Sequence, residues 1–274
     1  MSLRSLLSSE NWSRQLADYF NFGLAVSREK AADELVAAKL ARQGEKILSR
    51  WNAHMYSQNF EDAMIAEVVA RIGDGSKTFV EIGVETGEEC NSRLLLQLGW
   101  RGLWLEGDAA SVAKARVRFA REIAEGRLAV EQLFVTVDNV QEAIARHGFD
   151  RDLDFLSVDV DMNTSHIWRA IQSKPRFACI EYNGNLPPNI DYEVLYDPKA
   201  VWMKDACYGA SVPALERIGR EKGMSLVGCD ICGVNAFFVR DDLTGDHFVR
   251  PFDSATHWEP LRMTLVGRRG HARP

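Results

Sequence analysis

The chain has 274 residues, 46% hydrophobic and 26% charged, a balance that supports one large globular core rather than a disordered chain. Its 33 Lys and Arg against 39 Asp and Glu give a net charge of -6, which argues against a nucleic-acid partner held through phosphates. No apolar run approaches the roughly 20 residues of a membrane span, and Met1 to Glu10 lacks the apolar stretch of a signal peptide, so no membrane partner and a cytoplasmic location are expected.

Residues 1–54 read as an N-terminal helical extension, with Ser27 placed to cap a helix that carries Leu35, Val36, Leu40, Ile47 and Leu48. Preceding the first strand signal, it is expected to pack on the main domain or on a second copy of the chain, which would make a homo-oligomer through these helices. From residue 55 to 242 strands and helices alternate. The pattern predicts a helix over 59–72, a strand over 78–83, a helix over 88–98, a strand over 102–106, a helix over 109–125, a strand over 128–137 and a helix over 140–147. It continues with a strand over 153–159, a helix over 164–171, a strand over 177–181, a helix over 211–222, and a close pair of strands over 225–229 and 234–239. Alternation of this kind predicts an α/β fold: a mostly parallel seven-stranded sheet with helices on both faces, one antiparallel strand lying at its edge. Residues 243–274 are expected to form a tail or a lid, and Arg268-Arg269 is the one hint of a basic patch. The five cysteines, Cys90, Cys179, Cys207, Cys229 and Cys232, are odd in number and are read as reduced thiols; Cys229-Asp-Ile-Cys232 has no second such pair to complete a zinc site.

Ligands of such sheets sit beyond the carboxyl ends of the strands. The first strand ends Glu81-Ile-Gly83-Val-Glu85-Thr-Gly87, where glycines allow a sharp turn and close approach and where Glu81, Gly83, Glu85 and Gly87 are candidate cofactor contacts. The second ends in Glu106, 23 positions after Gly83, where a carboxylate can accept hydrogen bonds from both hydroxyls of a ribose. Together they indicate a nucleoside cofactor. Its charge follows from Glu85, Glu88 and Glu89: three carboxylates oppose a pyrophosphate at a helix start and favour a cation, although Glu88 and Glu89 also read as acids that stabilise the start of a solvated helix. S-adenosylmethionine, with a sulfonium and an ammonium group, fits; NAD does not. Asp138, after the third strand, is placed to accept from the adenine amine or to cap the helix at Val140.

The fourth and fifth strands end in Asp159-Val-Asp161-Met-Asn163 and Glu181-Tyr-Asn183. Oxygen-only donors of this kind suit Mg²⁺, so Asp159, Asp161, Glu181 and Asn183 are candidate metal ligands, and a bound ion would lower the pKa of a substrate hydroxyl. Asp159 is alternatively a contact for the methionine ammonium. Asp159, Asp161 and His166 are the candidate catalytic groups, with His54 a weaker one. After the fifth strand, a long segment holding Tyr192, Tyr196, Trp202 and Tyr208 with three prolines reads as a lid, a substrate wall or an ordered loop.

Several stretches, in order, resemble the FkbM-type methyltransferases: Tyr56-Ser57-Gln58 with Glu61-Asp62, Phe79 to Gly83, Gly99-Trp100-Arg101-Gly102 through Glu106, Asp154 to Asp159, and Ile180-Glu181-Tyr-Asn183. The resemblance spans about residues 55 to 240. It implies a Rossmann-like methyltransferase fold and O-methylation of a hydroxyl on a sugar or natural product, a small-molecule partner. By position, Gly83 and Gly87 match the family's cofactor loop, Glu106 its ribose acid and Asp159 its acid after the fourth strand, while Tyr56, Ser57 and Gln58 lie near the cofactor. The acids after strands four and five are also similar in layout to those of the magnesium-using catechol-type enzymes. Glu85 stands where the family has a small residue, and Asp161-Met162 where it has an acid-glycine pair. A non-catalytic cofactor-binding or scaffold protein of the same fold is the alternative.

Overall fold

The computed structural model describes residues 9–51, 53, 55–262 and 265. A seven-stranded sheet runs β3-β2-β1-β4-β5-β7-β6, where β1 is Thr78–Ile82, β2 Arg101–Glu106, β3 Leu128–Gln132, β4 Phe155–Val158, β5 Phe177–Glu181, β6 Met224–Cys229 and β7 Asn235–Arg240. The first five strands are mutually parallel; β7 is antiparallel to β5 and to β6. Every residue of β1, β4 and β5 is buried, as their unbroken apolar character requires of strands covered on both faces. Alternate side chains feed two cores. Val80, Ile82, Leu156, Val158 and Ile180 face the helices α6 (Val140–Arg146), α7 (Thr164–Ala170) and α8 (Val212–Glu221). Phe79, Trp104, Phe155, Phe177 and Phe237 face α2 (Glu61–Ile72) and α3 (Arg93–Gln97). This strand order, with β7 alone reversed, is the Rossmann-like methyltransferase fold.

Several sequence expectations need correction. The antiparallel strand is not at the edge: β7 is inserted between β5 and β6, and β6 is outermost. Ser27 caps nothing, because one helix, α1, runs from Ser9 to Gln43. It stops at Gly44, whose φ of 78° ends it in the left-handed manner typical of glycine, so Ile47 and Leu48 lie beyond the helix and are buried on their own account. The stretch 88–92 is not helical, since the Glu81 carboxylate accepts the backbone N–H of Asn91 and of Ser92 and so shapes the chain ahead of α3. The helix expected over 109–125 breaks at Phe119 into α4 (Ala109–Arg118) and α5 (Ala120–Ala124), with the Phe119 ring buried edge-on against Trp104 at 4.7 Å. Two short helices, α9 (Asp241–Thr244) and α10 (Ser254–His257), follow the sheet. His54 and Arg268-Arg269 lie outside the described residues.

The C-terminal part of α1 packs on the domain through Ala32 and Val36, which bury against Ile231, Cys232 and Leu265. Residues after β7 are docked as well. The Tyr182 hydroxyl donates to Glu259 O at 2.7 Å, and Leu261 N donates to Gly184 O at 3.1 Å. A buried ion pair, Lys39 Nζ to Glu259 Oε1 at 2.6 Å, joins the two ends, and Arg262 holds the other carboxylate oxygen at 2.7 Å. Removing one partner of a buried pair strands the other charge. Glu259→Gln, which leaves Lys39 and Arg262 facing a neutral amide, is therefore expected to cost about 3 kcal/mol of unfolding free energy in urea titration, and Lys39→Met less, since Arg262 still pairs with Glu259. All five cysteines are free thiols, four of them buried. Among the described residues no helix is long and apolar enough to cross a membrane.

Candidate active site

The parallel strands deliver β1, β2, β4 and β5 to one edge. Gly83 follows β1 at φ 85°, its N–H donating to Leu105 O at 2.9 Å, and a Cβ there would overlap the Asp159 carbonyl oxygen. The first and fourth strand ends thus touch backbone to backbone. Gly87, at φ 72°, leaves space that the Trp104 and Phe119 rings fill, the nearest ring atom 2.6 Å from where its Cβ would stand. Between them Glu85 takes a left-handed φ of 47°, and its N–H donates to Glu106 Oε2 at 2.8 Å. The other Glu106 oxygen accepts from Asp108 N at 2.8 Å. Glu106 therefore ties the turns after β1 and β2 together while remaining partly exposed. A carboxylate has about four lone-pair positions, so two stay available to a ribose diol.

Beyond β4 and β5, Asp159, Asp161 and Glu181 bring carboxylate oxygens within 4.8 Å of one another. Burial first, then the charges of Asp161, Glu81 and Glu61, push the Asp159 carboxyl up to about 7, although a hydrogen bond with Glu181 pulls it down. Burial, followed by Asp159 and Asp161, pushes Glu181 well above the carboxylate range, with Thr164 Oγ1 donating to its Oε2 at 3.2 Å. Asp161 sits at φ 54° and is raised by burial. Glu85 is raised too, by burial and then by Glu106, Glu89 and Asp161, which joins the turn and the acid triad in one field.

Other expected contacts fall elsewhere. Glu81 is buried beneath the loop rather than facing the cleft: besides the two N–H groups it accepts the Ser92 hydroxyl at 2.5 Å, and Ser92 Oγ in turn accepts from Trp104 Nε1. It shapes the turn and is not placed to touch a cofactor. Tyr56 and Ser57 are held by Asp62 Oδ2, which accepts both their N–H groups, at 2.6 and 2.9 Å. The Arg93 guanidinium lies 4.2 Å over the Tyr56 ring, docking this segment beside the loop after β1; Gln58 is exposed. Asp138 is exposed and does not cap α6; the Asn139 side chain takes the local bonds instead, to Thr136 N and Phe134 O. Asn183 does not join the acids. Its amide nitrogen donates to Ala206 O and Tyr208 O, and its oxygen accepts from Asn185, so it fastens the loop after β5. His166 also serves that loop: Nε2 is 2.7 Å from Val194 O, where it must carry the proton, and Nδ1 is 3.5 Å from Glu193. It is not turned to the acids.

Glu61 and Asp230 escaped the sequence reading as site groups, and Tyr208, expected only as part of a lid, substrate wall or ordered loop, stands closer to the acids. Tyr208 is buried, and burial together with Glu181, Asp159 and Asp161 raises its hydroxyl pKa, which places it beside the triad. Only the loop closure by Asn183 brings it there, and no local signal marks it. Glu61 is buried and accepts from Asn59 N and Asn235 Nδ2, each at 2.7 Å. Asp230 accepts the N–H groups of Cys232, Gly233, Val234 and Asn235 to build the β6–β7 turn, and burial with the Glu61 charge lifts its carboxyl to about 8. Glu61 stood inside the Tyr56–Asp62 motif, which was the available hint.

No protein-family profile matches the chain, and no curated protein sequence matches it. Solved structures do resemble it at low identity. An O-methyltransferase from Bacillus cereus in complex with SAH is 18% identical, with a TM-score of 0.44 over 77% of this chain and 89% of that one. The N-terminal domain of EvdMO1 with SAH bound is 15% identical, TM-score 0.43, over 71% and 83%. An S-adenosylmethionine-dependent methyltransferase from Clostridium acetobutylicum is 10% identical, TM-score 0.39, over 64% and 88%. None of these likenesses exceeds a TM-score of 0.44 or an identity of 18%, and the FkbM-type resemblance rests on its motif residues alone.

Proposed function

We propose that the protein is an S-adenosylmethionine-dependent O-methyltransferase, of FkbM type, acting on a hydroxyl of a sugar or natural-product small molecule. The observation that carries the reading is the cleft itself, where Glu85, Glu106 and the Asp159–Asp161–Glu181 triad gather at one strand edge. A sulfonium nucleoside relieves that field; a diphosphate worsens it. The Glu106 carboxylate takes the ribose diol, and the Gly83–Gly87 turn lets the backbone approach the nucleoside. The acceptor oxygen attacks the sulfonium methyl in line, so that the O–C bond forms as the S–C bond breaks. S-adenosylhomocysteine leaves, and the hydroxyl proton passes to Asp159. A carboxyl held near 7 is matched to that task at neutral pH. Positioning supplies most of the acceleration, since sulfonium is already a good leaving group.

The triad's oxygen-only donors also fit a divalent cation. Asp159, Asp161 and Glu181 would hold it, and it would supply Lewis acidity toward the acceptor hydroxyl. Because such an ion binds only the folded chain, millimolar Mg²⁺ added to chelator-treated protein is expected to raise the melting temperature, and Asp161→Asn to remove that rise. An unchanged melting temperature eliminates the metal and leaves the proton to Asp159 alone. A reduced, cytoplasmic setting belongs to the same reading, as does self-association through α1. Methyl release from S-adenosylmethionine across a panel of hydroxylated small molecules tests the activity. Turnover of at least one panel member is expected; binding of S-adenosylhomocysteine with no turnover of any member favours a non-catalytic cofactor-binding protein.

A further inference from the structure

At the edge of the sheet opposite the acidic cleft, where β5 and β6 begin and β7 ends, lies a cavity of about 470 Å³. Its rim is basic: Arg169, Lys174, Lys222 and Arg240, with Glu221 the one carboxylate among the lining residues. Arg169 is held bidentate by Glu193 at 2.9 and 2.8 Å, and Arg240 by Asp242 at 2.6 and 3.0 Å, so both guanidinium groups are fixed in place. Even with Glu193 and Asp242 counted, the rim keeps an excess of positive charge, in a chain whose net charge is -6. Lys222 gives one ammonium hydrogen to Ile171 O, at the end of α7, at 2.5 Å. The other two have no acceptor among the described residues, and Lys174 is exposed with no ion pair among them. Ile218 and Met224 lie behind the wall, exposed by 0% and 3%, so they offer a ligand almost no surface.

We propose that this cavity binds an organic phosphate, its phosphate held by Lys222 and Lys174 and its body filling the space beside them. A phosphate alone would leave most of the space empty, whereas the volume suits a small-molecule ligand. Helix C-termini attract cations, and the end of α7 accounts for one bond of Lys222. It does not account for a second lysine and two clamped arginines around the same cavity. Burial, and next the Arg169 charge, hold Lys222 down at about 8, against a smaller opposing pull from Glu221. The site is remote from the strand edge that carries the proposed methyl transfer and does not depend on that assignment.

Calorimetry of the full chain with adenosine 5′-monophosphate, glucose 6-phosphate and inorganic phosphate tests it, the first two distinguishing a nucleotide from a sugar phosphate. At least one organic phosphate is expected to bind about tenfold more tightly than inorganic phosphate, and Lys174→Ala to weaken it about tenfold, the scale of one charge-assisted contact. Lys174 makes no described bond, so this variant is expected to keep the parent melting temperature and its affinity for S-adenosylhomocysteine. Lys222→Met is expected to abolish binding. Absence of binding by both organic phosphates overturns the proposal, and so does binding that Lys174→Ala and Lys222→Met both leave unchanged.

Discussion

Gly83→Ala is expected to lower stability by roughly 4 kcal/mol, or about 10 °C in melting temperature for a chain of this size. Two independent costs add. At φ 85° an L side chain is in the left-handed region, which costs roughly 1–2 kcal/mol. The added methyl would also overlap the carbonyl oxygen of Asp159, and backbone cannot rotate away as a side chain can; moving it costs roughly 1–3 kcal/mol. Whatever variant survives has β1 and β4 pushed apart at the cofactor edge, so its affinity for S-adenosylhomocysteine is expected to fall more than its stability alone explains. Gly223→Ala is the control. It shares a left-handed φ, 70°, but the nearest atom to its Cβ, an Asp241 oxygen, is 4.0 Å away, so only the conformational cost remains. Equal losses for the two variants, measured by chemical denaturation, would contradict the close approach of β1 to Asp159.

Asp159→Asn is expected to stabilise the protein while removing its activity. The Asp159 carboxyl is held at about 7 in the folded chain against an ordinary value near 4. The folded state thus binds the proton more tightly than the unfolded state between those limits, and the wild-type chain loses stability as pH rises from about 4 to about 7. That gap corresponds to at most about 4 kcal/mol; partial exposure of Asp159 and a proton shared with Glu181 bring the expected loss to about 2. An amide does not titrate. In chelator-containing buffer the variant is therefore expected to match the parent near pH 4 and to exceed it by about 2 kcal/mol at pH 8. Methyl transfer at pH 7.5 is expected to fall by about 100-fold or more, the scale of general-base catalysis. A variant no more stable than the parent at pH 8 would mean that Asp159 is not under the strain of its neighbours.

How much of this was legible in the sequence differs by element. The strands were readable because β1, β4 and β5 are buried on both sides and spell continuous apolar runs, and the glycine turn was readable because a left-handed backbone demands one residue type. Position within the sheet was not. Nothing in Asn235–Arg240 says that it inserts between β5 and β6, since that follows from long-range pairing. Side-chain direction was also hidden. Asn183 and His166 stand at the right strand and helix ends, yet their hydrogen bonds go to carbonyls of the loop after β5, a competition that only the folded loop sets up. Glu81 carried a similar ambiguity: an acid at a strand end was read as a ligand contact, whereas it accepts the N–H groups ahead of α3.

The central claim is that the cleft selects a cationic sulfur nucleoside by charge. Isothermal titration of one protein preparation with S-adenosylmethionine and with NAD⁺ tests it most directly. Saturable one-to-one binding of S-adenosylmethionine, weakened about tenfold or more in Glu106→Ala, with no heat from NAD⁺, is the expected result. Binding of NAD⁺ in preference to S-adenosylmethionine, or an affinity for S-adenosylmethionine that is indifferent to Glu106, would contradict it.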